Sequence, residues 1–388
     1  MNITNDVVYV GVYDNQLDLF EGQYKIPKGI SYNSYLIIDE KVALLDTVEI
    51  RFKDEWLKNI KERLNDRGID YLIIHHMEPD HSSNILEILK LFPNIKIIAS
   101  KQAFNMMNNF FDFNFQNNEM IIKEGDILSL GKHKLTFISA SMIHWPEVIM
   151  TYDNNDKILF SADAFGSFGI NQILDNWINE GRRYYFGIVG KYGEQVKNLL
   201  SKINKLDIKY ICSLHGVVLK ENINYYLNLY SIWSNYDYEE DGVIIAYTSM
   251  YGNTKKAAIL LKEKLIKEGL VNVVLYDLIR DDIFEAVASA FKYNTLILCT
   301  TTYNGDIFPN MRHFIQYLLD RNYQKRNISF IENGSWAPIA YKKMKDLFQN
   351  SKNIHYLNST INILSSLSEK NLKQIDMLVE EIKKVSDN

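Results

Sequence analysis

The sequence predicts two α/β domains: a sheet sandwich with ligand-bearing loops over residues 1–240, then a doubly wound parallel sheet of five strands over residues 241–388. Three observations carry this reading. A chain of 388 residues exceeds the length at which a single core usually stops growing. The stretch Ser234-Asn235-Tyr236-Asp237-Tyr238-Glu239-Glu240-Asp241-Gly242 interrupts the apolar patterning with a polar, acidic run. Before it, apolar runs end in histidine or carboxylate residues; after it, strand and helix patterns alternate.

Composition narrows the function classes. The hydrophobic share of 47% supports substantial cores, while a net charge of -5 without any basic block leaves no electrostatic footprint for nucleic acid or an anionic membrane. No run of about 18 uncharged apolar residues occurs, and Met1-Asn2-Ile3-Thr4-Asn5-Asp6 lacks the basic start of a signal peptide, so a soluble, cytoplasmic chain is expected. Cys212 and Cys299 are the only cysteines, too distant for a CxxC pair, which excludes a rubredoxin-type or zinc-ribbon module within the chain; both read as small buried hydrophobes.

In chain order, Val7 to Leu19 and Ser31 to Leu45 read as scaffold strands separated by turns at Gly22 and Gly29. Phe52 to Arg67 carries Trp56, Leu57, Ile60 and Leu64 at helical spacing. Tyr71-Leu72-Ile73-Ile74 is a short buried strand that opens onto His75-His76-Met77-Glu78-Pro79-Asp80-His81. Pro79 argues against regular helix there, so the candidates His76, Glu78, Asp80 and His81 are placed in a loop. Ser82-Ser83-Asn84 then caps a helix bearing Ile85, Leu86, Ile88, Leu89 and Leu91. With 8 His and 48 acidic residues in 388, chance produces H-x-E-x-D-H in on the order of one such chain in 2000, so the set is read as a metal site.

Three later strands repeat the arrangement. Lys134 to Ala140 leads to His144 within Ile143-His144-Trp145-Pro146-Glu147, Lys157 to Ala162 leads to Asp163, and Tyr210 to Leu214 leads to His215-Gly216. Singly, Asp163 reads equally well as a helix cap and His144 or His215 as core histidines; their shared placement at strand ends favours convergence on one site. His75, His133, His313 and His355 lack such company and read as surface or packing residues.

Beyond the acidic run, strands at Val243 to Tyr247, Val271 to Tyr276, Thr295 to Cys299, Ile328 to Ile331 and Ile354 to Tyr356 alternate with helices at Lys255 to Glu268, Ile283 to Phe291, Met311 to Asp320, Ala340 to Phe348 and Glu369 to Val385. A ligand is expected beyond the carboxyl ends of such strands. Three loops lie there: Ser249, Met250, Tyr251, Gly252, Asn253 and Thr254 after Thr248; Thr302, Tyr303, Asn304 and Gly305 after Thr301; and Asn333, Gly334, Ser335 and Trp336. The first joins strand to helix and suits a phosphate, while the aromatic residues suit a flat ring such as a flavin better than a nucleoside triphosphate, because no GxxxxGK[ST] lysine is present.

These residues together resemble a flavodiiron protein, also called an A-type flavoprotein, across essentially the whole chain. The resemblance implies a metallo-β-lactamase-like αββα sandwich followed by a flavodoxin-like sheet. In hydrolase relatives the loop is typically H-x-H-x-D-H around zinc; here Glu78 stands in the middle histidine's place, and a carboxylate-rich mixed site suits iron. Carried over by motif, His76, Glu78 and His144 hold one iron, Asp80, His81 and His215 the other, and Asp163 bridges them; in some relatives the position of His81 is not a direct ligand. The three loops align with the family's FMN loops, although Thr301 stands where the second often begins with proline. Many relatives carry His-Gly upstream of the Tyr-Asn pair seen here as Tyr32-Asn33; this chain has Glu21-Gly22, a carboxylate where relatives place a histidine.

The resemblance further implies reduction of O2 to water, of NO to N2O, or of both, with electrons arriving through FMN. Two ferrous ions and a flavin hydroquinone hold four electrons, the demand of O2, whereas each pair of NO molecules needs two. Rubredoxin, or a reduced deazaflavin, is the implied donor, and a head-to-tail homodimer or homotetramer the implied assembly. The competing readings are a zinc hydrolase fused to a flavodoxin-like module, against which Glu78 argues, and an electron carrier with a docking platform.

Overall fold

Short apolar strands fill the first part of the chain in the computed structural model, which describes residues 1–170 and 177–386. Two units are distinct, Met1–Ser231 and Ile232–Asn388. In the first, a six-stranded sheet runs in the order Val7–Tyr9, Tyr35–Ile38, Val42–Leu45, Tyr71–Ile73, Lys96–Ser100, Glu119–Ile122, and a five-stranded sheet in the order Ile127–Ser129, Lys134–Ser139, Ile149–Asp153, Ile158–Phe160, Tyr210–Cys212. One buried cluster takes Tyr35, Ile37, Leu45, Ile73 and Ile98 from the first sheet and Leu135, Phe137, Ile149, Phe160 and Cys212 from the second, so the two are stacked face to face. Each such side chain contributes about 1.5–3 kcal/mol when fully buried.

The alternate residues Leu36, Leu44, Leu72 and Ile97 are equally buried, so the first sheet is covered on its other face as well. Helices Lys53–Leu64 and Lys101–Phe110 bury Trp56, Ile60, Leu64, Ala103, Phe104 and Met107, and Gly193–Ile203 buries Val196, Leu199, Leu200 and Ile203. This is the metallo-β-lactamase-like αββα sandwich. The runs Val7 to Leu19 and Ser31 to Leu45 are not single strands. Val12–Asp14 pairs with Ile30–Tyr32 and Leu19–Phe20 with Tyr24–Lys25, two small ribbons whose turns at Gly22 and Gly29 have φ of 68° and 69°.

In the second unit the sheet order is Val273–Asp277, Glu240–Tyr247, Tyr293–Tyr303, Asn327–Asn333, then a fifth strand in two pieces. All five are parallel. His355–Tyr356 pairs with Asn327 and Ile328, and Ile361–Ile363, which the apolar patterning did not single out, pairs with Ile331 to Asn333. Helices Asn253–Lys267 and Glu369–Ser386 pack Ala257, Leu261, Leu265, Ile375, Leu378 and Ile382 against Val243, Ile245, Ile297 and Ile331. The alternate strand residues Ile244, Ala246, Leu296 and Leu298 are fully buried, and helices Ile283–Lys292 and Ala340–Leu347 lie against these strands too. The acidic run is tied into this unit: Arg326, buried, donates to the carbonyls of Tyr236, Asp237 and Phe291. Cys212 and Cys299 are buried free thiols. Among the described residues no helix is long and apolar enough to cross a membrane.

Candidate metal centre

Strand direction brings the candidate ligands together. Lys134–Ser139 and Ile158–Phe160 are each antiparallel to Ile149–Asp153, and Tyr210–Cys212 is parallel to Ile158–Phe160, so the three strands that lead to His144, Asp163 and His215 all end at the same edge. Tyr71–Ile73 of the facing sheet leads to His76. Asp80 and His81 do not lie in irregular loop but on a single helical turn, Pro79–Ser82, with Pro79 at its first position, where a missing N–H costs nothing. The next helix, Ile85–Leu91, has no side-chain cap: Asn84 Nδ2 donates instead to the Val48 carbonyl.

The ligand atoms form two groups, His76, Glu78, His144 and Asp163, and Asp80, His81 and His215. In the first, Glu78 Oε2 lies 3.2 Å from both His76 Nε2 and His144 Nε2, and Asp163 Oδ2 lies 3.0 Å from His144 Nε2 and 3.4 Å from His76 Nε2. In the second, His215 Nε2 is 3.0 Å from His81 Nε2 and 3.3 Å from Asp80 Oδ2. Asp163 Oδ1 faces that group, 3.6 Å from His81 Nε2 and 3.9 Å from His215 Nε2. Atoms bound at about 2.1 Å to one ion stand roughly 3.0–3.4 Å apart in octahedral or tetrahedral geometry, and most of these separations fall there or just beyond. Asp163 thus offers one oxygen to each group.

The residues fit metal ions for an independent reason. Both oxygens of Asp80 and Oδ1 of Asp163 are buried and accept no hydrogen bond, a costly condition for a carboxylate unless a cation supplies the partner. Ionisation agrees. Burial opposes the charge on Glu78 and Asp163, yet the surrounding imidazoles, above all His144 for the former and His76 for the latter, hold both carboxyls well below their usual range. Burial likewise opposes protonation of His76, His144 and His215, but Asp163 raises the first two, His144 to about 9, and Asp80 raises His215. His81 alone is lowered, because burial outweighs Asp80. Without metal, protons on imidazoles balance the carboxylates; a bound cation displaces those protons.

Support behind the ligands was only partly legible. His215 Nδ1 donates to the Ser31 carbonyl at 2.8 Å, and Asn33 Nδ2 donates to the carbonyls of Ser213 and Gly216. His75 is buried as a packing residue, its ring held between Asp46 and Thr151 Oγ1. Glu147, quoted in its motif but given no role, receives His76 Nδ1–H and the Met77 N–H, each at 2.8 Å. Tyr184 is fully buried with its hydroxyl unpartnered, against a ring of His215 at 5.6 Å. No sequence signal marked it. Glu21, a solvent-reachable residue with φ of 48°, has its carboxyl pushed up to about 7 by loss of hydration and then by the charges of Glu78, Asp163 and Asp80.

A third set of ligand-type residues, His133, Asp153 and Asp156, behaves differently. His133 Nδ1 pairs with Asp153 at 2.9 Å and Nε2 with Asp6 at 3.3 Å. The Asp153 oxygens accept the N–H groups of Asn155 and Asp156, and Asp156 accepts from Thr4 and Asn155. Its charges are already satisfied, which makes it a structural lock.

In the second unit the three loops meet at the carboxyl ends of Glu240–Tyr247, Tyr293–Tyr303 and Asn327–Asn333. Thr301 Oγ1 donates to the Asn333 carbonyl at 3.1 Å, and Asn333 Nδ2 donates to Thr254 Oγ1 at 3.3 Å. Thr302 Oγ1 accepts the N–H groups of Ile339 and Ala340. These side chains brace the loops, leaving backbone for a ligand. No side chain caps the 15-residue helix Asn253–Lys267, whose N-cap Gly252 has φ of 87°, so its first N–H groups can receive a phosphate. Tyr251, which precedes Gly252, and Trp336 of the third loop are 90% and 82% exposed.

Comparison with known proteins agrees with this layout. Residues 30–216 match the ODP family beta lactamase model and residues 244–363 a flavodoxin domain. An uncharacterized protein of Methanocaldococcus jannaschii is 30% identical over 90% of this chain and 89% of its own length. The anaerobic nitric oxide reductase flavorubredoxin of Escherichia coli is 29% identical over 90% of this chain and 75% of its own. Among solved structures, rubredoxin oxygen:oxidoreductase from Desulfovibrio gigas superimposes with a TM-score of 0.91 at 24% identity, covering 100% of this chain and 98% of that one. The flavodiiron protein from Giardia intestinalis gives 0.91 at 25% identity, covering 99% and 97%. With the sandwich, the flavodoxin-like sheet, the paired ligand groups and these relatives in agreement, the chain belongs to the flavodiiron proteins, oxidoreductases whose cofactors are a non-haem iron pair and FMN.

Proposed function

We propose that this chain reduces O2 to water, NO to N2O, or both, with electrons delivered through FMN from a rubredoxin-type donor. One observation carries the reading: three carboxylates and four imidazoles converge as two groups that share Asp163, with buried carboxylate oxygens left without hydrogen-bond donors. When bound, the iron pair and FMN supply the electrons and the coordination positions for the gas.

The chain's residues hold and enclose. His76, Glu78 and His144 would hold one ion and Asp80, His81 and His215 the other, with Asp163 offering an oxygen to each. Rings of Phe20 and Tyr32 against His215, and of Trp145 against His76, wall the pocket with apolar surface. In the second unit, the first turn of helix Asn253–Lys267, which no side chain caps, would hold the FMN phosphate, and the exposed rings of Tyr251 and Trp336 would hold the flavin. The same reading places the protein in the cytoplasm as a head-to-tail homodimer, or a tetramer of two such dimers, so that one copy's FMN serves another's iron pair.

The deciding experiment reduces the iron- and FMN-loaded protein without air and follows O2 and NO consumption at an electrode. Fast O2 loss with slow NO loss identifies an oxygen-scavenging oxidase, and the reverse a nitric oxide reductase. Consumption of neither gas above the rate of free FMN would sink the reading and favour the zinc hydrolase. Replacing Glu78 by His, which removes one of the three carboxylates, is expected to abolish gas reduction; unchanged turnover with two irons bound would equally count against it.

A further inference from the structure

Glu147 sits in the turn between Lys134–Ser139 and Ile149–Asp153, three residues after His144, with its side chain fully buried. Its backbone is pinned as well: Ser100 Oγ donates to the Glu147 carbonyl at 2.8 Å. Oε1 receives both His76 Nδ1–H and Met77 N–H, while Oε2 is buried without a partner. A carboxylate oxygen only accepts, so a proton resides on Nδ1, and once a cation displaces the second proton the lone pair is left on Nε2, the atom that faces Glu78 Oε2 and Asp163 Oδ2.

The site's other imidazoles lack such backing. His215 Nδ1 donates to a neutral carbonyl, and His81 Nδ1 is buried with no partner. Among the described residues, His76 is the one imidazole of the site with a carboxylate on its far nitrogen. A charged acceptor there draws the Nδ1 proton away and makes Nε2 the more basic donor. Two metal positions that share Asp163 therefore differ in what stands behind their histidines.

We propose that Glu147 is a positioning residue that makes the two metal positions unequal: through His76 it binds the ion at the His76, Glu78 and His144 position more tightly, and at a lower reduction potential, than the ion at the Asp80, His81 and His215 position. This rests on the metal-pair reading above and adds to it an order of loading and of reduction.

The test is Glu147→Gln in the full chain. Glutamine keeps a carbonyl acceptor for both N–H groups and the side-chain shape, removes the charge, and puts its NH2 where the unpartnered Oε2 lies. Anaerobic Fe(II) loading under chelator competition, with Co(II) as a spectroscopic substitute, reads the two affinities; a redox titration reads the two potentials. In wild type, two unequal affinities are expected. In the variant, the tighter weakens roughly 10-fold while the weaker is unchanged, and the lower potential moves positive. Glu147→Ala, which also removes the hydrogen bonds, should lose more. If Glu147→Gln matches wild type in both readouts while Glu147→Ala does not, Glu147 only shapes the turn and the proposal is overturned. If the wild type takes up no metal pair, the functional reading itself fails and the proposal with it.

Discussion

Gly216 offers a sharp test of the metal centre because it follows the ligand His215 and has no freedom to move. Its φ is +79°, and a Cβ built there would stand 2.1 Å from Ser167 Oγ, 2.9 Å from Ser167 O and 3.0 Å from Ser167 N. The serine hydroxyl can rotate away; the two backbone atoms cannot. Gly216 is also held on its own backbone, its N–H by Ser31 Oγ at 2.7 Å and its carbonyl by Asn33 Nδ2 at 3.1 Å. For Gly216→Ala, left-handed backbone costs about 1–2 kcal/mol and overpacking about 1–3 kcal/mol. The total of roughly 2–5 kcal/mol corresponds to about 4–20 °C in the melting of a unit this size. Relaxing the clash shifts His215 off the Ser31 carbonyl, so metal at the Asp80, His81 and His215 position should be lost first. Metal analysis should show content falling from two toward one per chain, and melting of metal-free protein isolates the backbone cost from the metal's contribution. An alanine variant that keeps two metals and the wild-type melting temperature refutes the reasoning.

Two further outcomes are expected. Trp336→Ala removes an exposed ring with no structural duty, so folding and iron content should not change, while loss of about 1 kcal/mol of ring contact weakens FMN binding roughly 5-fold in a fluorescence titration; equal affinity would remove Trp336 from the flavin site. His133 titrates high: burial opposes its charge, but Asp153 and then Asp6 raise its pKa. Its folded pKa thus lies above the unfolded value near 6.5, so its pairs stabilise fully below pH ~6.5 and that contribution is lost as pH rises through the folded pKa. Denaturation of His133→Gln against wild type should accordingly show a larger deficit at pH 6 than at pH 9, on the order of 1.5–3 kcal/mol at the acid end; a pH-independent deficit would mean that His133 acts by shape alone.

The sequence by itself determined the ligand inventory and the alternation of strands and helices. Chelation demands particular side chains, and apolar periodicity is a local property, so both are written along the chain. His76, Glu78, His144, Asp163 and His215 were legible because each follows a short apolar strand, and the flavodoxin-like order because helical and strand patterns alternate beyond residue 242. Local pattern was less reliable where a partner far away in the chain decides conformation. Pro79 reads as a helix breaker, yet at the first position of a turn it starts the helix that carries Asp80 and His81. Ile361–Ile363 becomes the second piece of the fifth strand only through pairing with Ile331 to Asn333.

Only the tertiary structure decided what stands behind each ligand. Asp163 divides its two oxygens between groups because strands of fixed direction bring His144 and His215 to the same edge. Glu147 reaches His76 across 71 residues, His215 reaches Ser31 across 184, and the orphaned oxygens of Asp80 are defined by what fails to approach them. Hydrogen-bond partners and desolvation are properties of three-dimensional proximity, and no periodicity in the chain records them.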